Sequence, residues 1–265
     1  MVVRIANVLK RAKCKKVFHR TNGVFTMIDQ NGAHITESID TLKNTIRELG
    51  KKDTGMRIQV ITLENSLLTD SGADIDALFK YYESNLVEET FTIDEAAIAV
   101  MKNEDETIDE IKSALREDRI EVFYQPIWSV KEAKFKSAEA LVRIRAVDGS
   151  IIPPGKFIPI AEKSGLIDAI GHVVLDKTCE MISKDNTMKL GIKYIEVNLS
   201  VEQCEDPELN NKIMKTMKHH EVQPEQLNLE ITESAEIKNR QILSKNMGLL
   251  ADTGIAFSLD DFGTG

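Results

Sequence analysis

Four short runs in the second half of this 265-residue sequence each carry one oxygen ligand near their end: Glu139 in EALVR, Asn198 in IEVNLS, Glu230 in LNLEIT and Asp260 in FSLDD. In an extended strand, residues two apart share a face. Glu139, Leu141 and Arg143 then lie on one side, and Ala140, Val142 and Ile144 on the other. The same alternation sets Glu196, Asn198 and Ser200 opposite Ile195, Val197 and Leu199. It sets Asn228, Glu230 and Thr232 opposite Leu227, Leu229 and Ile231, and Ser258 and Asp260 opposite Phe257, Leu259 and Asp261. One such acid suits a solvated face or an ion pair; repetition over four strands points to a site. Converging carboxylates cannot all stay ionised unaided, so either protons or a cation must join them. With neither His nor Cys in the set, zinc is disfavoured, and an all-oxygen set favours Mg²⁺ or Mn²⁺. Asp260 and Asp261, where the last strand enters a Gly-rich loop, could serve two ions. Two metals suit hydrolysis of a phosphodiester by an activated water. Arg143, on the Glu139 face, is placed to grip a phosphate oxygen.

These groups meet only if their strands run parallel, so that the C-terminal ends share one mouth. From Ile120 onward the strand-like runs IEVFYQPI, SAEALVRIR, YIEVNLS, LNLEIT and AFSLDDF alternate with helical stretches across 159–183, about 207–219 and near 239–252. That pattern predicts an α/β fold, a largely parallel sheet with helices outside. The short link between the first two strands predicts an antiparallel pair.

Residues 1–102 read as a separate α+β unit with helices on an antiparallel sheet. In it KKVFHRT and GVFTMID flank the hairpin pair Asn22-Gly23, ITESIDTLKNTIREL is an amphipathic helix, MRIQVITLE is a strand, and ADIDALFKYYESNL is a helix. A charged helix over 103–118 is the expected linker, and 119–265 form the second domain.

Formal net charge is −9, with 42% hydrophobic and 29% charged residues. This is ordinary for a globular chain and unfavourable for binding a nucleic acid polymer or an anionic membrane. Cys14, Cys179 and Cys204 show no disulfide framework or CxxC spacing. No apolar run is long enough to span a bilayer, and the N-terminus lacks a signal-peptide core; the expected location is cytoplasmic. His219-His220 reads as the end of a helix without an acid partner, and Trp128 as packing at the end of the barrel.

The order of motifs YQPI at 124–127, EALVR at 139–143, FIPIAEKSGLI at 157–167, NLS at 198–200, EITES at 230–234 and DDFGTG at 260–265 resembles the EAL-domain cyclic di-GMP phosphodiesterases of bacteria. The resemblance implies a modified TIM barrel whose first strand is antiparallel, with about five of the eight strands in this chain. It implies two Mg²⁺ or Mn²⁺ ions per complete site, held by Glu139, Asn198, Glu230, Asp260 and Asp261, and catalytic roles for Glu139, Asp260, Asp261 and Glu233, the last bracing the loop after the fifth strand. Gln125, Leu141 and Arg143 would contact the substrate, cyclic di-GMP, and the product would be linear pGpG. A homodimer through this domain is the expected association. Ile144 stands where the family often has Trp. The family's later strands, with a Lys, a further Glu and a Gln at the site, are not in this sequence. The chain therefore reads as part of a longer product, with little hydrolysis expected of it alone. The alternative is a non-catalytic cyclic di-GMP receptor. The first half is similar to a degenerate GGDEF domain, with Thr21-Asn22-Gly23-Val24-Phe25 where the signature turn falls, so no cyclase activity is expected.

Overall fold

The computed structural model describes residues 16–19, 25–28, 37, 39–41, 43, 44, 60–63, 75–85, 90–184, 187–232 and 237–260. The chain divides into two compact units, 1–101 and 102–265.

In the first unit, β1 (Lys16–His19) and β2 (Phe25–Ile28) pair antiparallel, with Lys16 opposite Ile28 and His19 opposite Phe25. That is the pairing the Asn22-Gly23 turn predicts, though the turn itself lies outside the described residues. Residues 37, 39–41, 43 and 44 are helical, within the predicted amphipathic stretch. The expectation of a purely antiparallel sheet is corrected here. β3 (Val60–Leu63) and β4 (Thr90–Ile93) run parallel, joined through helix α1 (Ile75–Asn85). A parallel pair needs such a crossover, and the helix supplies it. The four-residue TFTI run of β4 is short enough to escape a pattern reading. Leu78 and Tyr82 of α1 pack with Ile93, Ala97, Ile98 and Met101, and the Tyr82 hydroxyl donates to the Ala97 carbonyl at 2.8 Å.

The expected linker helix starts earlier than 103. Helix α2 spans Glu95–Arg116, because Asp94 caps it: the Ala97 amide donates to Asp94 Oδ1 at 2.8 Å. An Asp at this position satisfies one of the orphan amides of the first turn.

The second unit continues through β5 (Ile120–Ser129), β6 (Lys134–Arg145), β7 (Ile151–Ile152), α3 (Pro154–Lys163), α4 (Ile167–Lys184), β8 (Tyr194–Leu199), α5 (Val201–Cys204), α6 (Leu209–His219), β9 (Leu227–Thr232), α7 (Arg240–Asp252) and β10 (Ala256–Asp260). Its sheet runs β10-β9-β8-β6-β5, with β7 beside β6. β5 and β6 are antiparallel; β6, β8, β9 and β10 are parallel. The apolar faces behave as the alternation requires. Ala138, Ala140, Ile144, Ile195, Val197, Leu199, Leu227 and Leu229 are buried in one core with Phe157, Ile170, Val174, Ile213 and Met217 from the helices. No described helix is long and apolar enough to cross a membrane.

Candidate active site

The Glu139, Asn198 and Glu230 side chains lie on the face of this sheet opposite the helices. Strand register sets their levels. Glu139 is paired with Glu196 across β6 and β8, whereas Asn198 is paired with Glu230 and Glu230 with Ser258. From Glu139 to Asn198 the row of candidate positions therefore climbs two residues, from Asn198 to Glu230 none, and from Glu230 to Asp260 two again. Tilted, staggered strands produce such steps in a closing barrel, so residues out of straight register still share one level across the axis. The contact bears this out: Asn198 Nδ2 donates to Glu139 Oε1 at 2.8 Å.

Gln125 is the antiparallel partner of Glu139 and is exposed beside it. Leu141 and Arg143 continue the Glu139 face toward the strand end, opposite Phe123 and Glu121. The Arg143 guanidinium lies 5.9 Å from the Phe123 ring centre and donates to its neighbour's carbonyl, that of Val142, at 2.8 Å. Asp260 closes β10, but its side chain lies outside the described residues, as do Glu233 and Asp261. Among the described residues, no three His, Cys, Asp or Glu side chains are grouped to hold a metal. The described donors are Glu139, Asn198 and Glu230, all oxygen, which fits a hard divalent cation.

The exit of β8 is firmly built. Ser200 caps α5: its Oγ accepts from the Gln203 amide at 3.3 Å, and Gln203 Oε1 accepts from the Ser200 amide at 3.1 Å. This reciprocal pair satisfies two end-of-helix amides. Gly171 of α4 makes room for the same glutamine, since a Cβ there would sit 2.1 Å from Gln203 Nε2. Behind them, buried Asn246 of α7 donates to the carbonyls of Cys204 and Asp206 at 2.9 and 2.8 Å and accepts from Asn210 at 2.7 Å. The strand end bearing Asn198 is thereby tied to two helices.

One neighbour was visible in the alternation but not singled out. Glu196 sits beside Glu139 in register and accepts from Ser137 Oγ at 3.3 Å. Burial, and then the Glu139 charge, push its carboxyl above the usual range. Two expectations away from the site are corrected. His220 does have an acid partner: its Nε2 lies 2.8 Å from Asp176 Oδ1 of α4, a pairing between elements that are distant in sequence. Trp128 is half exposed, edge-on to Phe135 at 5.1 Å.

Comparison with known proteins places these residues in context. The EAL domain model matches residues 108–265. Signaling protein YkoW of Bacillus subtilis is 37% identical over 157 residues, covering 58% of this chain and 19% of that protein. The bifunctional diguanylate cyclase/cyclic di-GMP phosphodiesterase MucR of Pseudomonas aeruginosa is 32% identical over 162 residues, covering 59% of this chain and 23% of its own length. The solved PaMucR phosphodiesterase, a c-di-GMP complex, superposes with a TM-score of 0.56 at 31% identity, covering 60% of this chain and 65% of that one. This chain thus spans about a fifth of the length of the curated relatives it matches.

Proposed function

The chain belongs to the EAL domain family, and from that premise we propose that it supplies the metal-binding face of a phosphodiesterase that opens cyclic di-GMP to linear pGpG. The observation that carries this is the 2.8 Å bond from Asn198 to Glu139 on the polar face of the sheet, with Glu230 in register beside Asn198. Glu139, Asn198 and Glu230, with Asp260 and Asp261 at the end of β10, would hold two Mg²⁺ or Mn²⁺ ions. Bound there, the ions would lower the pKa of a water and neutralise charge developing on the phosphate.

The chain's own residues do the rest. The Asn198 amide holds the Glu139 carboxylate in one rotamer. Arg143 swings from its local carbonyl bond to a non-bridging phosphate oxygen, a charge-assisted contact. Gln125, beside Glu139, meets the ligand from the antiparallel strand, and Leu141 offers it an apolar wall. Glu233 steadies the loop that follows Asp260. The first unit serves as a regulatory neighbour without cyclase chemistry, and the protein works in the cytoplasm as a homodimer through this domain.

The test is chromatographic detection of pGpG from cyclic di-GMP, using the full-length product that carries this chain. Activity should require Mg²⁺ or Mn²⁺ and fall by at least about a hundredfold in Glu139→Gln, which removes a metal-binding charge. Ca²⁺ should inhibit, because it prefers longer bonds and more ligands. Tight binding of cyclic di-GMP without turnover in any of these metals would replace the enzyme by a receptor.

A further inference from the structure

The sheet holds Asn198 firmly on one side only. Its backbone is paired with Glu230 of β9, and Leu199 after it with Ile231. Toward β6 the register runs from Ser137 opposite Tyr194 to Ala140 opposite Val197, and stops one residue short of Asn198. Yet it is toward β6 that the Asn198 amide reaches, to Glu139. What fixes the chain there is the exit of β8. Ser200, two residues on, donates its amide to Gln203 Oε1 at 3.1 Å, and its Oγ accepts the Gln203 amide at 3.3 Å. Because Oε1 accepts from a backbone N–H, the Gln203 side-chain amide has one orientation, and its Nε2 lies against Gly171 of α4.

Gln203 is 7% exposed, and an ion bridge clamps its seat. Asp168 lies three residues before Gly171, on the same face of α4, and Asp206 three residues after Gln203. Lys212 of α6 joins the two acids, at 3.4 and 2.6 Å. A Cβ at residue 171 would overlap the Gln203 amide alone. That amide is the far end of a flexible side chain, so the glutamine would yield and the helix would not. Yielding takes Oε1 away from the Ser200 amide and undoes the reciprocal cap. We propose that Gly171 and Gln203 are positioning residues: the bare helix backbone at 171 seats the Gln203 amide, which sets the exit of β8 and so holds Asn198 against Glu139. The packing of α4 is thereby felt on the other side of the sheet, at the proposed metal face. The consequence for metal binding rests on the proposed function; the hold on the Asn198–Glu139 bond does not.

The experiment follows the Asn198 side-chain amide by NMR in EDTA. Glu139→Ala, which removes the acceptor, is the reference for a broken bond. Gly171→Ala and Gln203→Met should each move the Asn198 amide protons at least halfway to their positions in Glu139→Ala, at a temperature where circular dichroism shows both variants folded. Gln203→Met is close to glutamine in shape but cannot accept from Ser200, so it decides the matter if Gly171→Ala does not fold. The double variant should be displaced no further than either single one, because both act through one contact. Asn198 protons left at their wild-type positions in folded Gln203→Met would overturn the proposal, as would additive displacement in the double variant. In a second arm, Mn²⁺ titrated by electron paramagnetic resonance should bind about tenfold more weakly to both variants, as for other contacts that orient a metal ligand. Wild-type affinity in both would also overturn the proposal. A wild type that binds no Mn²⁺ while its Asn198 amide responds to Gly171→Ala refutes the metal face and upholds the positioning.

Discussion

Replacing Asn198 by Asp changes one atom type at the centre of the proposed metal face and exchanges an attraction for a repulsion. In the wild type, Asn198 Nδ2 donates to Glu139 Oε1 at 2.8 Å. The loss of that bond costs about 0.5–1.5 kcal/mol. Two carboxylates about 4 Å apart then repel by about 1 kcal/mol with water-like screening and about 4 kcal/mol at the effective dielectric of a protein surface. Asn198 is exposed and Glu139 half-buried, so the lower end applies, and the total is about 2 kcal/mol. For a domain of 150–250 residues this lowers the unfolding midpoint by about 4–8 °C. The assay is circular-dichroism melting in EDTA and then in excess MgCl₂. Asn198→Asp should melt below both the wild type and Asn198→Ala in EDTA, and Mg²⁺ should raise it more than either. If Asn198→Asp and Asn198→Ala melt together in EDTA, charge at this position is irrelevant and the convergence with Glu139 is refuted.

Asn246→Ala should destabilise the second unit by about 2–4 kcal/mol, since it strands the Cys204 and Asp206 carbonyls and the Asn210 amide in a buried place; denaturant melts measure it. Lys136 and then Lys134 hold the Glu132 carboxyl down at about 2, from 4.5. With its folded pKa below its unfolded one, Glu132 contributes stability that is complete above about pH 4.5 and lost as pH falls toward 2. Glu132→Gln should therefore lose less stability than the wild type across that window, and a carbon-detected titration should show the Glu132 carboxyl still ionised at pH 3. Burial pushes the Cys179 and Cys204 thiols up to about 12, so mass-mapped alkylation at pH 8 should leave both unlabelled until urea unfolds the protein.

Much of the second unit was legible because its strands have one apolar and one polar face. The alternation in EALVR, IEVNLS and LNLEIT located β6, β8 and β9 and told which side chains face away from the helices. It could not give register: that Asn198 rather than Glu196 reaches Glu139 follows from strand stagger, which depends on the whole sheet. Short or distant features also escaped. β4 has four residues and its parallel partner lies beyond a helix. Asp94 is an adequate helix cap, but an acid before a charged helix does not stand out. His220 finds Asp176 only once α4 and α6 are packed. The hairpin of β1 and β2 was readable because Asn-Gly admits few alternatives to a tight turn.

The most direct measurement is anomalous diffraction from crystals of the chain soaked in Mn²⁺. The expected result is a Mn²⁺ peak about 2.2 Å from a Glu139 oxygen, Asn198 Oδ1 and a Glu230 oxygen, the bonding range for such ligands, and its loss in Glu139→Gln. Mn²⁺ bound elsewhere while the Glu139 face stays empty would contradict a metal centre built by these strands.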